Sequence, residues 1–279
     1  MLFADVALAH RIERAEAGML RDATELVGHR LPVAQVLCEE LAGGLATFTE
    51  PGSPLNKVIG LGFAGPLDED ALARVERAFA ERSEPMRIEL ASLADPSFAE
   101  ALTRRGYALL GFENVLGVAL PHRVVGSAAA ELELAESPRD ELEAWLDVLV
   151  AGFAAPDLEG VGPAEVHETE MLRRIIRDFA RTPGVVRFLA RRAGEPVGGA
   201  SMRVAEGVAL LSGAATLAAH RRRGVQTAML AERLARASAA GCELAVITTQ
   251  PGSKSMQNAQ RHGFELLYVR AILHRELER

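Results

Sequence analysis

The amino-acid sequence predicts an α/β (α+β) protein of two related domains, each a mixed, mostly antiparallel sheet flanked by helices. Strand and helix patterns alternate along the chain, and an Ala-Gly-Glu turn joins two of the strands as a hairpin. The segment RRGYALL at residues 104–110 returns as RHGFELL at 261–267, each time after a strand, a turn and a short helix. Because the two copies lie more than half the chain apart, they indicate two similar domains rather than a solenoid.

The two domains are expected at residues 1–124 and 129–279. The linker falls in HRVVGSAAAE at 122–131, where small residues replace the strand pattern. In the first domain we expect a strand at 86–91 and a helix at 97–105. Gly106 and Gly263 each follow a helix, at the position where a left-handed residue ends it.

The second half predicts a sheet with helices on its faces. A proline opens the second of these helices, where it suits the first turn. We expect strands at 132–135, 185–192, 196–204, 208–217, 244–249 and 264–274, and helices at 138–153, 163–179, 225–240 and 253–261.

Composition limits the classes of function. The chain has 279 residues and a net charge of −7, which argues against a broad surface for nucleic acid or anionic membrane. No run of 18 apolar residues occurs and no signal-peptide pattern opens the chain, so we expect a cytoplasmic protein without a membrane partner. Cys38 and Cys242 lack the spacing of a disulfide framework or a zinc site and are expected to be small buried residues.

Three arginines at residues 221–223 stand where a helix is predicted to begin. A helix N-terminus favours acidic residues by about 0.3–1 kcal/mol each, so this placement is unfavourable unless an anion binds there. The N–H groups of a first helical turn are unpaired, and Gly224 would let a ligand approach closely. The segment therefore predicts a diphosphate site, with a solvated arginine-rich loop as the alternative. It matches neither the Walker P-loop nor the dinucleotide fingerprint.

This arrangement resembles the GNAT superfamily of N-acetyltransferases, whose acetyl-CoA loop reads Arg or Gln, two residues, Gly, one residue, then Gly or Ala. Residues 221–226, RRRGVQ, fit that pattern except at Gln226. PGSKSMQNAQRHGF at 251–264 is similar to the turn, helix and strand start that follow in the family. The resemblance implies that acetyl-CoA is the co-substrate, bound through backbone N–H groups of the loop and helix start. The residues implied to bind it are Thr216, Leu217, Ala218, Arg221, Arg223, Gly224, Val225, Gln226, Thr227, Ala228, Ser253 and Asn258.

The first domain resembles the same fold more faintly. Its matching segment reads GLGFAGPLDEDALARVERAF, and Asp68, Glu69 and Asp70 open the helix there. Two like charges about 4 Å apart repel by on the order of 4 kcal/mol at an effective dielectric constant of about 20. We therefore expect no CoA to bind in the first domain.

Catalytic residues are less evident. The resemblance implies a glutamate in the strand before the loop and a tyrosine in the helix after the turn. The strand at 208–217 has no carboxylate, and Ala259 stands at the place of the tyrosine. Tyr268 is a candidate proton donor, with packing as the alternative, and Ser255 is a candidate partner of the thiolate. The general base is unassigned, and proximity with backbone donors would carry the reaction.

The acceptor is expected in a crevice walled by the first two helices of the second domain. Glu168 and Glu170 would attract a cationic amine, with a solvated helix face as the alternative. Gln250 ends a strand, where α/β proteins bind ligands. Trp145 is a further candidate, with core packing as its alternative. No metal is expected, because the histidines have no other metal-ligating residues near them in the sequence.

Two functions are open at this point. The first is an N-acetyltransferase that passes acetyl directly from acetyl-CoA to an amine of a small molecule or peptide, as a monomer or homodimer. The second is a non-catalytic acyl-CoA-binding regulatory module. Nucleic-acid binding is not expected, because nothing aromatic or basic flanks the arginines.

Overall fold

A computed structural model describes residues 2–32, 35–124, 131–155, 161 and 168–276. Contacts between residues divide the chain into two units. The N-terminal unit comprises Phe3–Val115 and Leu266–Arg279, and the C-terminal unit comprises Met1–Leu2 and Leu116–Glu265. This division differs from the predicted one at the last strand, which groups with the N-terminal unit.

The N-terminal unit has strand order β1-β2-β3-β4-β11-β5, of which β5 contributes its first part. β3 and β4 are parallel, and β11 lies antiparallel to β4, with Arg270 opposite Ala91. Its elements are α1 (Val6–Gly28), β1 (Leu37–Leu41), β2 (Gly44–Phe48), β3 (Lys57–Ile59), α2 (Glu69–Glu81), β4 (Met86–Ala91), α3 (Pro96–Arg104), β5 (Ala108–Ala119) and β11 (Glu265–Arg275).

Aspartate side chains begin all three helices of this unit. Asp5, Asp68 and Asp95 each accept a hydrogen bond from a backbone N–H of the first turn, which satisfies a donor that the helix itself leaves unpaired. The acidic start predicted for the helix after Asp68 is confirmed. The core lies between the sheet and α2 and α3, where Phe79 and Phe98 are fully buried.

The C-terminal unit has strand order β5-β10-β9-β8-β7-β6, with β9 and β10 parallel. The predicted fold class is therefore confirmed. A 3₁₀ turn at Arg139–Glu141 forms the start of the helix predicted from 138. The predicted start of the next helix, at 163–167, lies outside the described residues. The elements are β6 (Leu132–Glu136), α4 (Leu142–Ala154), α5 (Thr169–Arg181), β7 (Val185–Arg192), β8 (Glu195–Ala205), β9 (Val208–Thr216), α6 (Val225–Ala239), β10 (Leu244–Thr249) and α7 (Lys254–Arg261).

Two adjacent glycines in β8 allow helices to approach the sheet from both faces. A Cβ on Gly198 would lie 2.5 Å from Val225 Cγ1 of α6, and a Cβ on Gly199 would overlap Leu149 of α4. Neighbouring residues of a strand point to opposite faces, so each glycine serves one helix. The close approach fixes the start of α6 and the last turns of α4 relative to β8 and β9.

Two smaller expectations have different outcomes. Gly106 and Gly263 follow α3 and α7 with φ of 83° and 85°, so their predicted left-handed conformation is confirmed. Cys242 is buried as expected, whereas Cys38 is only half-buried, because it lies on β1 in a position that α1 covers incompletely. Within the described ranges, no helix combines the length and apolar character needed to cross a bilayer.

A buried cluster of charges joins β11 to α1, β4 and β5. The guanidinium of Arg270 is fully buried and donates hydrogen bonds to Glu13 (2.8 Å), Glu16 (2.6 Å) and Glu113 (3.0 Å). The Tyr268 hydroxyl donates to the same Glu13 oxygen at 2.7 Å. This arrangement holds the last strand in the N-terminal unit, because removing one partner would leave a buried charge without compensation.

Carboxylates outnumber cations in this cluster. Glu89, which bonds Lys57 at 3.0 Å, adds a fourth carboxylate, against the two cations Lys57 and Arg270. Burial raises the pKa of Glu113 to about 7, and the negative charge of Glu89 raises it further, whereas Arg270 and Lys57 lower it. The cluster therefore favours a protonated Glu113 at mildly acidic pH.

This pKa predicts a pH dependence of stability. Because the pKa of Glu113 in the folded protein exceeds its ordinary value of 4.5, its stabilising contribution is complete below that value and is lost as the pH rises through 7. Glu113→Gln keeps an acceptor for Arg270 but cannot ionise. The decline in the free energy of unfolding between about pH 5 and about pH 8 should shrink by about 2 kcal/mol in this variant, measured by urea denaturation. The exposed Glu100→Gln serves as control, and equal slopes in wild type and Glu113→Gln would contradict the assignment.

Candidate functional site

The parallel strands β9 and β10 separate soon after they begin. Their pairing joins Val208 to Leu244, Ala209 to Ala245 and Leu210 to Val246. Residues 211–216 of β9 and 247–249 of β10 lie beyond this pairing. The carboxyl ends of two parallel strands thus open toward the loop that leads from β9 into α6, which is the end of an α/β sheet where ligands bind.

A β-bulge lies in β9 where it leaves β10. Gly199 of β8 is opposite Ala215, but Ser201 is opposite Ser212, so β9 has one residue more than β8 in this interval. Gly213 supplies the turn with φ of 53°. The buried Ser201 hydroxyl donates to the Ser212 carbonyl at 3.0 Å and supports the bulge from β8. A bulge takes one residue out of the ladder, so it turns backbone groups toward the opening.

The first turn of α6 has no side-chain cap. Among the described residues, none hydrogen-bonds to its first N–H groups, and the turn contains no acidic residue. Gly224, the N-cap residue, is left-handed with φ of 78°. The first-turn N–H groups and the positive end of the helix dipole are therefore available to an anion, as the sequence predicts for this segment.

Arg221 has partners inside the protein. Its guanidinium donates to the carbonyls of Gly152 (3.3 Å) and Ala155 at the C-terminus of α4, and to the Thr216 carbonyl (3.3 Å) at the end of β9. These contacts correct the expectation that all three guanidinium groups need a diphosphate. Carbonyls at a helix C-terminus carry partial negative charge, so the cation is stable there without a ligand.

The other two arginines lie at the surface of the loop. Arg222 and Arg223 are both exposed, and Arg222 has a left-handed backbone with φ of 60°. The Arg223 carbonyl accepts a hydrogen bond from Arg192 at 3.4 Å, which ties the loop to the end of β7. Positive charge is therefore present beside the open start of α6.

Gln226, the residue that departs from the family pattern, has a local role. Its amide donates to the Thr216 hydroxyl at 3.0 Å, so the first turn of α6 is bonded to the end of β9. The Leu217 N–H donates to the Val197 carbonyl of β8 at 3.0 Å. Ala218 lies in the 3₁₀ turn that follows. The structure thus groups these predicted binding residues around Gly224, together with Val225, Thr227 and Ala228.

The residues predicted on α7 stand at its start. Ser253 is the N-cap and accepts from the Met256 N–H, which is the capping alternative considered for it. Ser255 is exposed, and Asn258 is half-buried. Gln250 is half-buried in the turn between β10 and α7, where its carbonyl accepts from the Ser253 N–H.

Tyr268 and Trp145 lie elsewhere. Tyr268 is buried in the N-terminal unit with its hydroxyl bonded to Glu13, whereas the loop belongs to the C-terminal unit. Trp145 is fully buried on α4, and its indole N–H donates to the Ala200 carbonyl at 3.1 Å. Both side chains therefore have the packing role weighed as the alternative. Glu168 and Glu170 are exposed at the start of α5.

Sequence reasoning missed two parts of this site. The bulge at Gly213 has a local signal, since a glycine inside a strand pattern often marks a bulge. The contacts of Arg221 with Gly152 and Ala155 have no local signal, because the partners are backbone carbonyls far away in the sequence.

Separated parallel strands, a bulge before their opening and an uncapped helix after an arginine loop together define an acyltransferase fold of the GNAT type. Residues 142–264 match the model of the family described as "Acetyltransferase (GNAT) family". A search of the curated proteins finds no significant match.

Solved structures share the fold over nearly the whole chain. A GCN5-related N-acetyltransferase from Kribbella flavida is similar with a TM-score of 0.66 and 22% identity, covering 96% of this chain and 95% of that one. A tandem GNAT protein from the clavulanic acid biosynthesis pathway gives 0.61 and 13%, covering 96% and 97%. A GCN5-related N-acetyltransferase from Sphaerobacter thermophilus gives 0.57 and 12%, covering 99% and 95%.

The chain belongs to the GNAT superfamily. The family model lies in the C-terminal half of the chain, and the likeness to a tandem GNAT protein supports an arrangement of two domains. Membership supports acyl transfer as the general reaction.

The contacts of Arg221 predict a structural cost for its replacement. Arg221→Gln should lower the free energy of unfolding of the ligand-free protein by about 1–3 kcal/mol, because charge-assisted hydrogen bonds to the α4 carbonyls are lost. Arg223→Gln, an exposed neighbour, should change it by no more than about 0.5 kcal/mol. Urea denaturation followed by the fluorescence of Trp145, the one tryptophan of the chain, measures both. Equal stability of the two variants would contradict the role given to Arg221.

Proposed function

We propose that the protein is a cytoplasmic N-acetyltransferase that transfers acetyl from acetyl-CoA directly to an amine of a small molecule or peptide. The observation that carries this proposal is the uncapped, arginine-flanked start of α6 beside the open ends of β9 and β10. The acceptor amine is the part of the proposal that depends on the family rather than on the geometry.

The diphosphate of the co-substrate fits the start of α6. The N–H groups of the first turn would donate to its oxygens, and Arg223 would add positive charge from the exposed side of the loop. Arg221 would contribute indirectly, because its hydrogen bonds to α4 and Thr216 hold the loop in place. An aspartate cap, as at Asp68 of α2, would occupy the same donors and repel the diphosphate.

The thioester would lie along the part of β9 beyond its pairing with β10. There the bulge at Gly213 turns backbone toward the opening, and backbone N–H groups can stabilise the negative charge that develops on the thioester oxygen. Residues 214–216, between the bulge and the loop, would run beside the pantetheine arm.

The transfer itself needs little chemistry from side chains. The amine nitrogen attacks the thioester carbon, the carbon–sulfur bond breaks, and the thiolate leaves as CoA after it takes up a proton. β9 has no carboxylate, and Ala259 on α7 is buried, so neither supplies a base or acid. The amine would therefore enter in its neutral form and lose its proton to water, and the rate should rise with pH up to the pKa of the amine. Ser255 is the exposed hydroxyl on α7 available as a partner for the thiolate.

Those two absences also favour a second candidate function, a non-catalytic acyl-CoA-binding regulatory module. It requires the same site at α6 but no turnover. The two candidates differ in whether CoA thiol is released in the presence of an amine.

Gly224→Val tests the binding site. A valine at a φ of 78° is strained, so the start of α6 should shift and affinity for CoA should fall by about tenfold or more, measured by calorimetry. Gly241→Val is a matched control, because Gly241 has the same φ of 78° beyond the other end of α6 with open space around its Cβ. Loss of affinity in both variants, or in neither, would refute the assigned loop.

Turnover is tested by incubating the protein with acetyl-CoA and a panel of primary amines while free thiol is followed. Amine-dependent thiol release that Gly224→Val abolishes and Gly241→Val retains is the result expected of an N-acetyltransferase. Tight CoA binding without thiol release over a broad panel would instead identify the regulatory module.

A further inference from the structure

A second cavity lies in the C-terminal unit, between the start of α4 and the end of α5. Its volume is about 600 Å³, within the range of small-molecule sites. Leu142 and Val185 contribute apolar wall, and the segment from Arg181 to Arg187 passes along one side. None of its lining residues belongs to the arginine loop or to α6.

Three arginines line this cavity. Arg139 precedes α4, Arg181 ends α5, and Arg187 lies on β7. Burial lowers the pKa of Arg187, and the positive charges of Arg139 and Arg181 lower it further, so the three guanidinium groups are close enough to repel one another. Such repulsion is relieved when an anion binds among them.

The positive charge of the cavity is not neutralised by the protein. Glu141 forms its ion pair with Arg191 at 2.7 Å, and Glu136 forms one with Arg236 at 3.6 Å. In the part of the chain that the structure describes, no carboxylate forms an ion pair with the three cavity arginines.

The cavity also contains fixed hydrogen-bond donors. Arg187 is buried and held by the carbonyls of Pro138 (2.9 Å) and Ser137 (3.3 Å), so its position is set before any ligand arrives. Ser137 is buried as well, and its hydroxyl has no hydrogen-bond partner among the described residues. A buried hydroxyl without a partner is costly, and a ligand oxygen would satisfy it.

This cavity is separate from the site at α6. The last carbonyls of α4 hold Arg221, whereas Leu142 at the first residue of α4 lines the cavity. A helix of 13 residues is roughly 20 Å long, so about that distance separates the two sites.

We propose that this cavity binds the phosphate group of a phosphorylated small molecule, with the guanidinium groups of Arg139, Arg181 and Arg187 and the Ser137 hydroxyl as donors. Guanidinium groups match phosphate geometry with paired hydrogen bonds, and three of them suit a dianion better than a single carboxylate. The volume exceeds that of a phosphate ion, so the remaining space and the apolar wall would take the organic part of the ligand.

Calorimetric titration of the full-length protein with glycerol 3-phosphate, glucose 6-phosphate and inorganic phosphate tests this proposal. Arg139→Gln combined with Arg181→Gln should weaken binding of the phosphate monoester by about tenfold or more, because two charge-assisted contacts are lost. Both arginines are exposed, so the fold should survive, which circular dichroism verifies. Arg261→Gln, an exposed arginine on α7 outside the cavity, should bind like the wild type.

Gly224→Val separates this site from the one at α6. Phosphate binding that survives in Gly224→Val and is lost in the double variant supports the cavity. Binding lost in Gly224→Val but retained in the double variant would place the phosphate at α6 and overturn the proposal. Absence of binding to the wild type, or binding of inorganic phosphate alone, would overturn it as well.

Discussion

The early end of the β9–β10 pairing is the constraint on which the rest of the candidate site depends. Two parallel strands that stayed paired to their ends would close the sheet, and the loop after β9 would reach α6 over a continuous surface. Because pairing ends at Leu210 and Val246, the end of β9 leaves β10, and the bulge at Gly213 supports this departure. The start of α6 then stands beside an opening rather than a wall, which makes its unpaired N–H groups useful to a ligand.

Features with a local cause could be predicted from the sequence. The glycines after α3 and α7, the aspartate that begins α2 and the loop that leads into α6 each follow from chemistry within one turn or loop. Most strand and helix bounds of the C-terminal unit are also within a few residues of the predicted ones, because hydrophobic periodicity is a local pattern.

Features that depend on distant partners could not be predicted in this way. The last strand carries the same signal whichever sheet it joins, and its place beside β4 is decided by Arg270. That arginine contacts Glu13, Glu16 and Glu113 from two other elements, and nothing near Arg270 in the sequence indicates such partners. For the same reason Tyr268 was predicted as a catalytic candidate, whereas its observed hydroxyl partner is Glu13.

The position of Arg221 shows how a cation can stand before a helix without a ligand. The positive end of α6 should repel it, by an amount on the order of the 0.3–1 kcal/mol typical of helix dipoles. The negative end of α4 lies at the same place and offers carbonyls as acceptors, so the two helix ends act on the guanidinium with opposite sign. Hydrogen bonds to Gly152 and Thr216 then decide the balance in favour of the folded loop. Arg223 has no such contact through its carbonyl with Arg192, and for that reason it is the arginine whose charge remains for a bound diphosphate.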